Sequence, residues 1–236
     1  MTNRTLNLAL GLATLVGMVT SLYMIFMYVP PEQEQGIVQL IFYYHVPLAW
    51  DAFASFGLVA VAGIFYLWLG GQIWDDLGRA AAEIGFLFCT VFMVVGSLWA
   101  KPIWGTWWTW DSRLTTTFVL WMMYLGYLLM RAMVDDSAQI ARYSAVVGIV
   151  AALDVPVIIV SVRLWRTIHP AVLVTKQGAH GLEDPRMVAT LLVALGALTL
   201  LFVWFLLLRF AELRMRTRLG NLARAIALAQ VRAGDV

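Results

Sequence analysis

The sequence predicts an all-α integral membrane protein with six transmembrane helices and a Trp-rich outer loop between the third and fourth. Three observations predict it. Of the 236 residues, 62% are hydrophobic and the mean hydropathy is +0.82. Only 13% are charged, against roughly 25% in a soluble domain. The apolar residues gather into six runs close to the roughly 20 residues that a helix needs to cross the hydrocarbon core.

The runs lie at about 6–29, 48–70, 80–100, 114–133, 143–162 and 188–208. Pro30-Pro31 stops the first, Gly70-Gly71 the second, and Pro102 follows the third. A short polar segment, Asp135-Asp136-Ser137, parts the fourth from the fifth. Residues 1–208 thus form the six-helix transmembrane domain, and 209–236 a basic C-terminal tail. The tail carries Arg among Leu213, Leu219, Leu222, Ile226 and Leu228. It is expected to continue the sixth helix on the cytoplasmic side, against anionic lipid or a partner subunit. The N-terminal apolar run is longer than the core of a signal peptide and lacks a small-x-small cleavage site, so it is expected to stay as a span.

Lys and Arg set the orientation. With six spans, ten of the 16 fall on the side of the two termini, mostly in the tail, and six on the other. Both termini are therefore expected in the cytoplasm. By parity, the loop between spans 3 and 4 and the ends of span 2 and span 5 near His45 and His169 share the outer face.

That loop is the least probable part of the composition. Residues Trp104–Asp111 read Trp-Gly-Thr-Trp-Trp-Thr-Trp-Asp, four of the chain's 11 Trp. As a helix, Trp104, Trp107, Trp108 and Asp111 would share a face; as an extended segment, Trp104, Trp108 and Trp110 would. An interfacial aromatic belt accounts for one or two Trp at a helix end. Four in one short loop make a platform for a large, flat, apolar ligand.

The chain has three histidines, and none lies mid-span. His45 precedes span 2 and His169 follows span 5, both beside the Trp-rich loop. Neutral imidazole is a common iron ligand. Pro47 and Pro170 are expected to hold Val46 and His169 extended, which would place each ligand at the mouth of a helix. Arg163, Arg166 and His169 share a face if span 5 continues that far. With Arg113 and Lys101, these cations suit the acidic edge of such a ligand, although each alone reads equally well as an interfacial cation. Asp111 also fits an N-cap for span 4. Asp154, in the middle of span 5 and two residues before Pro156, could donate as a carboxylic acid to the carbonyl that the proline frees, or serve as a proton relay.

Other classes of function are excluded. The one cysteine, Cys89, lies in an apolar run, so there is no intrachain disulfide, and no Cys-x-x-Cys-His attaches a c-type haem. No Gly-x-x-x-x-Gly-Lys-[Ser/Thr] binds nucleotide. No nucleophile or acid–base pair marks a catalytic site, so the chain is not expected to be an enzyme, and nothing in it calls for nucleic acid.

The run Trp-Gly-Thr-Trp-Trp-Thr-Trp-Asp-Ser-Arg-Leu-Thr (104–115), with Lys101-Pro102 before it, resembles the "WWD" signature of haem-handling membrane proteins. Within that superfamily the chain looks like a member of the cytochrome c maturation protein C family. His45-Val46-Pro47-Leu48-Ala49-Trp50 is similar to that family's first histidine motif, and Val155–His169 to its second. The resemblance covers about residues 40–170. It departs at Asp51, Asp154, Leu164 and Pro170, which leaves the second outer loop least well matched.

The resemblance implies a bacterial inner-membrane protein that binds haem b at the outer face. It makes His45 and His169 the axial ligands of the iron. It makes Trp104, Trp107, Trp108, Trp110 and Asp111 the cradle, and Arg113 and Arg166, two of the nearby cations, suit the propionates. It implies transfer of the haem to the chaperone CcmE for maturation of c-type cytochromes. The partners it implies are the ABC transporter subunits CcmA and CcmB, to which any ATP hydrolysis would belong, and the small membrane protein CcmD. Two other classes are compatible with the residues: an electron-transfer membrane cytochrome, and a Trp platform that binds or transports another amphiphile.

Overall fold

The computed structural model describes residues 4–133, 138–165, 174–175, 178–179, 182 and 184–234. The protein is an all-α integral membrane protein. Six of its helical segments are long and apolar enough to cross a bilayer.

Helix α1 spans Arg4–Tyr23 and runs into a π-helical turn, Met24–Tyr28, which Val29 ends in extended conformation before the two prolines. A 3-10 turn, Ile37–Ile41, leads into α2 (Phe42–Leu69). Helix α3 is Gln72–Trp104 and α4 is Ser112–Met133. The fifth span is broken into α5 (Ala138–Ala152) and α6 (Asp154–Leu164). Leu153 turns between them, its N–H shared by the carbonyls of Ile149 and Val150. The break falls where Pro156 cannot donate to the carbonyl one turn back. Two-residue strands, β1 (Val174–Thr175) and β2 (Gly178–Ala179), pair antiparallel before α7 (Pro185–Gly234).

Helix α2 sits at the centre, packed on α3, α5 and α7, while α1 lies outside against α7. Small residues bring the central helices together, since lipid tails supply little drive to separate apolar helices from lipid. A Cβ at Gly63 would come within 3.0 Å of the Ala145 carbonyl oxygen, and one at Gly148 within 2.6 Å of Val59. Ser55 donates to the Ala81 carbonyl at 2.7 Å, and Phe56 stacks on Tyr124 with centroids 3.8 Å apart. Cys89 is a buried core residue. The outward faces carry exposed Leu, Val, Ile and Phe, as a lipid-facing surface requires.

Asp51 and Asp154, two acids within the spans, have different surroundings. Asp51, which breaks the apolar pattern of α2, accepts from Thr199 Oγ1 at 2.9 Å and so ties α2 to α7. Its Oδ2 is buried without a partner among the described residues. Asp154 begins α6, and its Oδ2 is likewise buried without one. The bond from Asp154 to a freed carbonyl is therefore not formed through that oxygen.

At the end where α2 runs into α3, ion pairs replace apolar contacts. Arg131 of α4 donates to both oxygens of Asp75 at 2.7 Å, and both side chains are almost fully buried. Arg209 of α7 pairs with Glu83, which Arg79 also reaches. Arg214 and Thr217 reach Asp76 at 3.1 Å. The Trp-rich loop, the start of α2 and the start of α7 lie at the other end.

Candidate functional site

Helix α3 stops at Trp104 because Gly105 takes φ 73°, a left-handed conformation that favours glycine, and donates back to Lys101 O at 3.0 Å. The Trp-rich stretch is therefore neither of the two regular forms expected. Trp104 closes a helix, and residues 106–111 are irregular. Lys101 Nζ folds over this turn. It donates to Gly105 O at 2.9 Å and lies 5.9 Å from the Trp107 ring centroid.

The far end of the loop is fastened by Asp111, as its N-cap reading required. Its Oδ1 accepts from the N–H groups of Arg113 and Leu114 at 3.0 and 3.2 Å, and Oδ2 from Thr109 Oγ1 at 2.8 Å. Arg113 is thus on the first turn of α4, beside the loop. Trp108 and Trp110 meet edge to face at 5.9 Å, and both rest on Phe118. Phe118 stacks on Trp121, which donates to Thr90 Oγ1 of α3 at 2.9 Å. Trp107 and Trp110 are 55% and 71% exposed, so two indoles face outward from an anchored loop. Trp108 Nε1 and Ser112 Oγ are buried donors without partners among the described residues.

His45 is not at a helix mouth. The 3-10 turn carries the helical backbone upstream, so His45 and Val46 lie within helix, and Pro47 sits in α2 without forcing Val46 extended. Its imidazole reaches across to α3, where Nδ1 is 3.1 Å from the Phe92 carbonyl oxygen. Edge-to-face contacts with Phe92 at 5.8 Å and Trp99 at 5.6 Å hold the ring. Trp99 is held in turn by Phe42 at 6.0 Å and by its own N–H, which donates to Gln35 Oε1 at 3.1 Å. Phe92, Gly96 and Trp99 escape a reading of motifs. Their i, i+4, i+7 spacing on α3 is the signal that they share a face.

His169 and Arg166 lie outside the described residues, as do Lys176 and His180. Helix α6 ends at Leu164, with Trp165 extended (φ −125°, ψ 152°). The helix that was to align Arg163, Arg166 and His169 stops before the last two. At the start of α7, Asp184 accepts from the Arg186 side chain at 2.8 Å and the Arg186 N–H at 2.7 Å. These two bonds, the side-chain one first, hold its carboxyl below the ordinary carboxylate range.

The described site thus offers an oriented imidazole, outward indole faces and buried donors with no partner of their own. That set suits a broad flat ligand with a metal at its centre and acids at its edge.

A family model described as "Heme exporter protein C" matches residues 1–225. The chain belongs to that family. It is 36% identical to the heme exporter protein C of Bradyrhizobium diazoefficiens over 202 residues, covering 85% of this chain and 76% of that one. To the protein of the same name from Haemophilus influenzae it is 32% identical over 188 residues, covering 78% and 74%. A protein from Marchantia polymorpha described as a putative cytochrome c biosynthesis ccmC-like mitochondrial protein is 33% identical over 149 residues, covering 63% of each chain.

Proposed function

We propose that this protein takes part in haem export for cytochrome c maturation by binding haem b at the membrane face that carries the Trp-rich loop, and by handing it to CcmE. His45 and His169 bind the iron axially. Trp104, Trp107, Trp108 and Trp110 lie against the macrocycle, and Arg113 and Arg166 meet the propionates. Asp111 acts one step back, by fixing the loop. CcmA, CcmB and CcmD are the partner subunits, and any ATP hydrolysis is theirs. The loop faces the periplasm and both termini the cytoplasm of a bacterial inner-membrane protein.

The observation that carries this reading is the hydrogen bond from His45 Nδ1 to Phe92 O. A carbonyl only accepts, so Nδ1 carries the proton and Nε2 the lone pair that a metal needs. Ligating histidines are commonly held in this way by a carbonyl behind the ring. With both axial positions filled by imidazole, the iron is closed to small ligands while haem waits, and transfer requires the loss of one axial bond.

The test is an absorption spectrum, oxidised and reduced, of the purified protein beside a His45→Ala/His169→Ala double variant. A low-spin six-coordinate haem spectrum is expected, and its loss in the variant. Full haem with an unchanged spectrum in the variant would overturn the ligand assignment.

A further inference from the structure

We propose that Gly96 is a positioning residue for His45: the missing side chain at Gly96 leaves the niche in which the imidazole lies with Nδ1 on the Phe92 carbonyl. The proposal rests on the reading of His45 as an iron ligand, but its geometry is set by protein atoms alone.

A Cβ built on Gly96 would lie 2.7 Å from His45 Cε1 and 3.2 Å from Nδ1. The first distance is well inside van der Waals contact, so no side chain at 96 coexists with the ring as placed. The ring has little room elsewhere in this plane, since Phe92 and Trp99 stand at 76° and 64° to it. Phe92, Gly96 and Trp99 thus act together. The carbonyl of the first sets the tautomer, the bareness of the second admits the ring, and the indole of the third closes over it.

The kind of clash makes the position informative. At Gly63 an added methyl meets the Ala145 backbone oxygen at 3.0 Å, so relief requires two helices to part. At Gly96 it meets the end of a side chain that can turn about its own torsions. A methyl at 96 therefore moves the ligand and spares the bundle.

The first experiment needs neither haem nor a variant beyond assignment. With three histidines in the chain, protein labelled with 15N-histidine gives three pairs of ring-nitrogen signals, and His45→Ala identifies the relevant pair. The Nδ1–H tautomer is expected for His45 in the haem-free protein. An Nε2–H tautomer there overturns the proposal. In Gly96→Ala, with unchanged membrane level and thermal unfolding, the His45 signal should leave the Nδ1–H position; an unchanged signal also overturns it. Loaded with haem, Gly96→Ala should bind about 10-fold or more weakly, the usual cost of losing the group behind a ligating histidine. Imidazole in the buffer should restore the low-spin spectrum. Gly126→Ala, where an added Cβ meets nothing within 4 Å, should match the unmodified protein. If His45→Ala keeps its haem spectrum, the ligand reading fails, while the tautomer and its response to Gly96→Ala are judged independently of it.

Discussion

Arg131 and His45 sit at opposite ends of one helical bundle, and each is fixed by a partner on α3. Arg131 is locked into Asp75 by two charge-assisted bonds at 2.7 Å, closed over by protein. His45 leans on a neutral carbonyl at 3.1 Å and two aromatic edges, and stays partly open. The difference is one of strength. A buried bidentate ion pair admits one geometry and is costly to open. A hydrogen bond to a neutral carbonyl with edge contacts holds a ring at more modest cost. The ion-paired end fastens the helices to one another, and the aromatic end is held less tightly.

The largest expected effect that sharpens this contrast comes from Asp75→Ala. It strands the Arg131 guanidinium and should destabilise the fold by about 3–5 kcal/mol, read as a lower unfolding temperature in detergent. Haem bound per folded molecule should stay the same. A loss of haem binding without loss of stability would break the division between the two ends. Asp111→Ala should come next. Removing an N-cap costs about 1 kcal/mol, and here it also frees the end of the Trp-rich loop. Tryptophan fluorescence should shift towards that of solvated indole, and a spectrum unchanged from the unmodified protein would count against Asp111 as the fastener.

Asp184 gives the smallest effect, and its sign follows from its bonds. Because Arg186 holds its carboxyl below the usual range, its contribution is present above the ordinary pKa of Asp and fades as pH falls through the lowered value. The group is partly exposed to solvent, so the effect is slight. Asp184→Asn should flatten a small acid-side decline in stability by slightly lowering stability at neutral pH, where the bonds to Arg186 are lost, and a larger acid-side decline in the variant would contradict the sign.

What could be read in advance follows from what each residue does locally. Six spans are legible because hydrophobic length is a property of the chain alone, and Asp111 because a cap acts on the next turn. The end of span 3 is less legible: Pro102, which follows the apolar run, lies inside α3, and the helix ends at Gly105. The helix around His45 is hidden because Pro47 points to an extended Val46, whereas the turn at Ile37–Ile41 starts the helix upstream. The break before Asp154 is hidden inside a continuous apolar run. Gly96, Phe92 and Trp99 look like ordinary interior residues of span 3, and their meaning depends on a ring delivered by another helix. Asp51 reads as a departure until Thr199, 148 residues away, reaches it.

Helix α7 runs for 50 residues, which at about 1.5 Å per residue is a rod of roughly 75 Å, well over twice the hydrocarbon thickness of a membrane. Its first turn lies against the other end of the bundle, where Met187 packs with Tyr43 two residues from His45. It is pinned again at Arg214 and Thr217, and beyond Gly220 its described side chains stand exposed. One unbroken backbone thus joins the exposed arm beyond Gly220 to the turn at Met187, at the opposite end of the bundle.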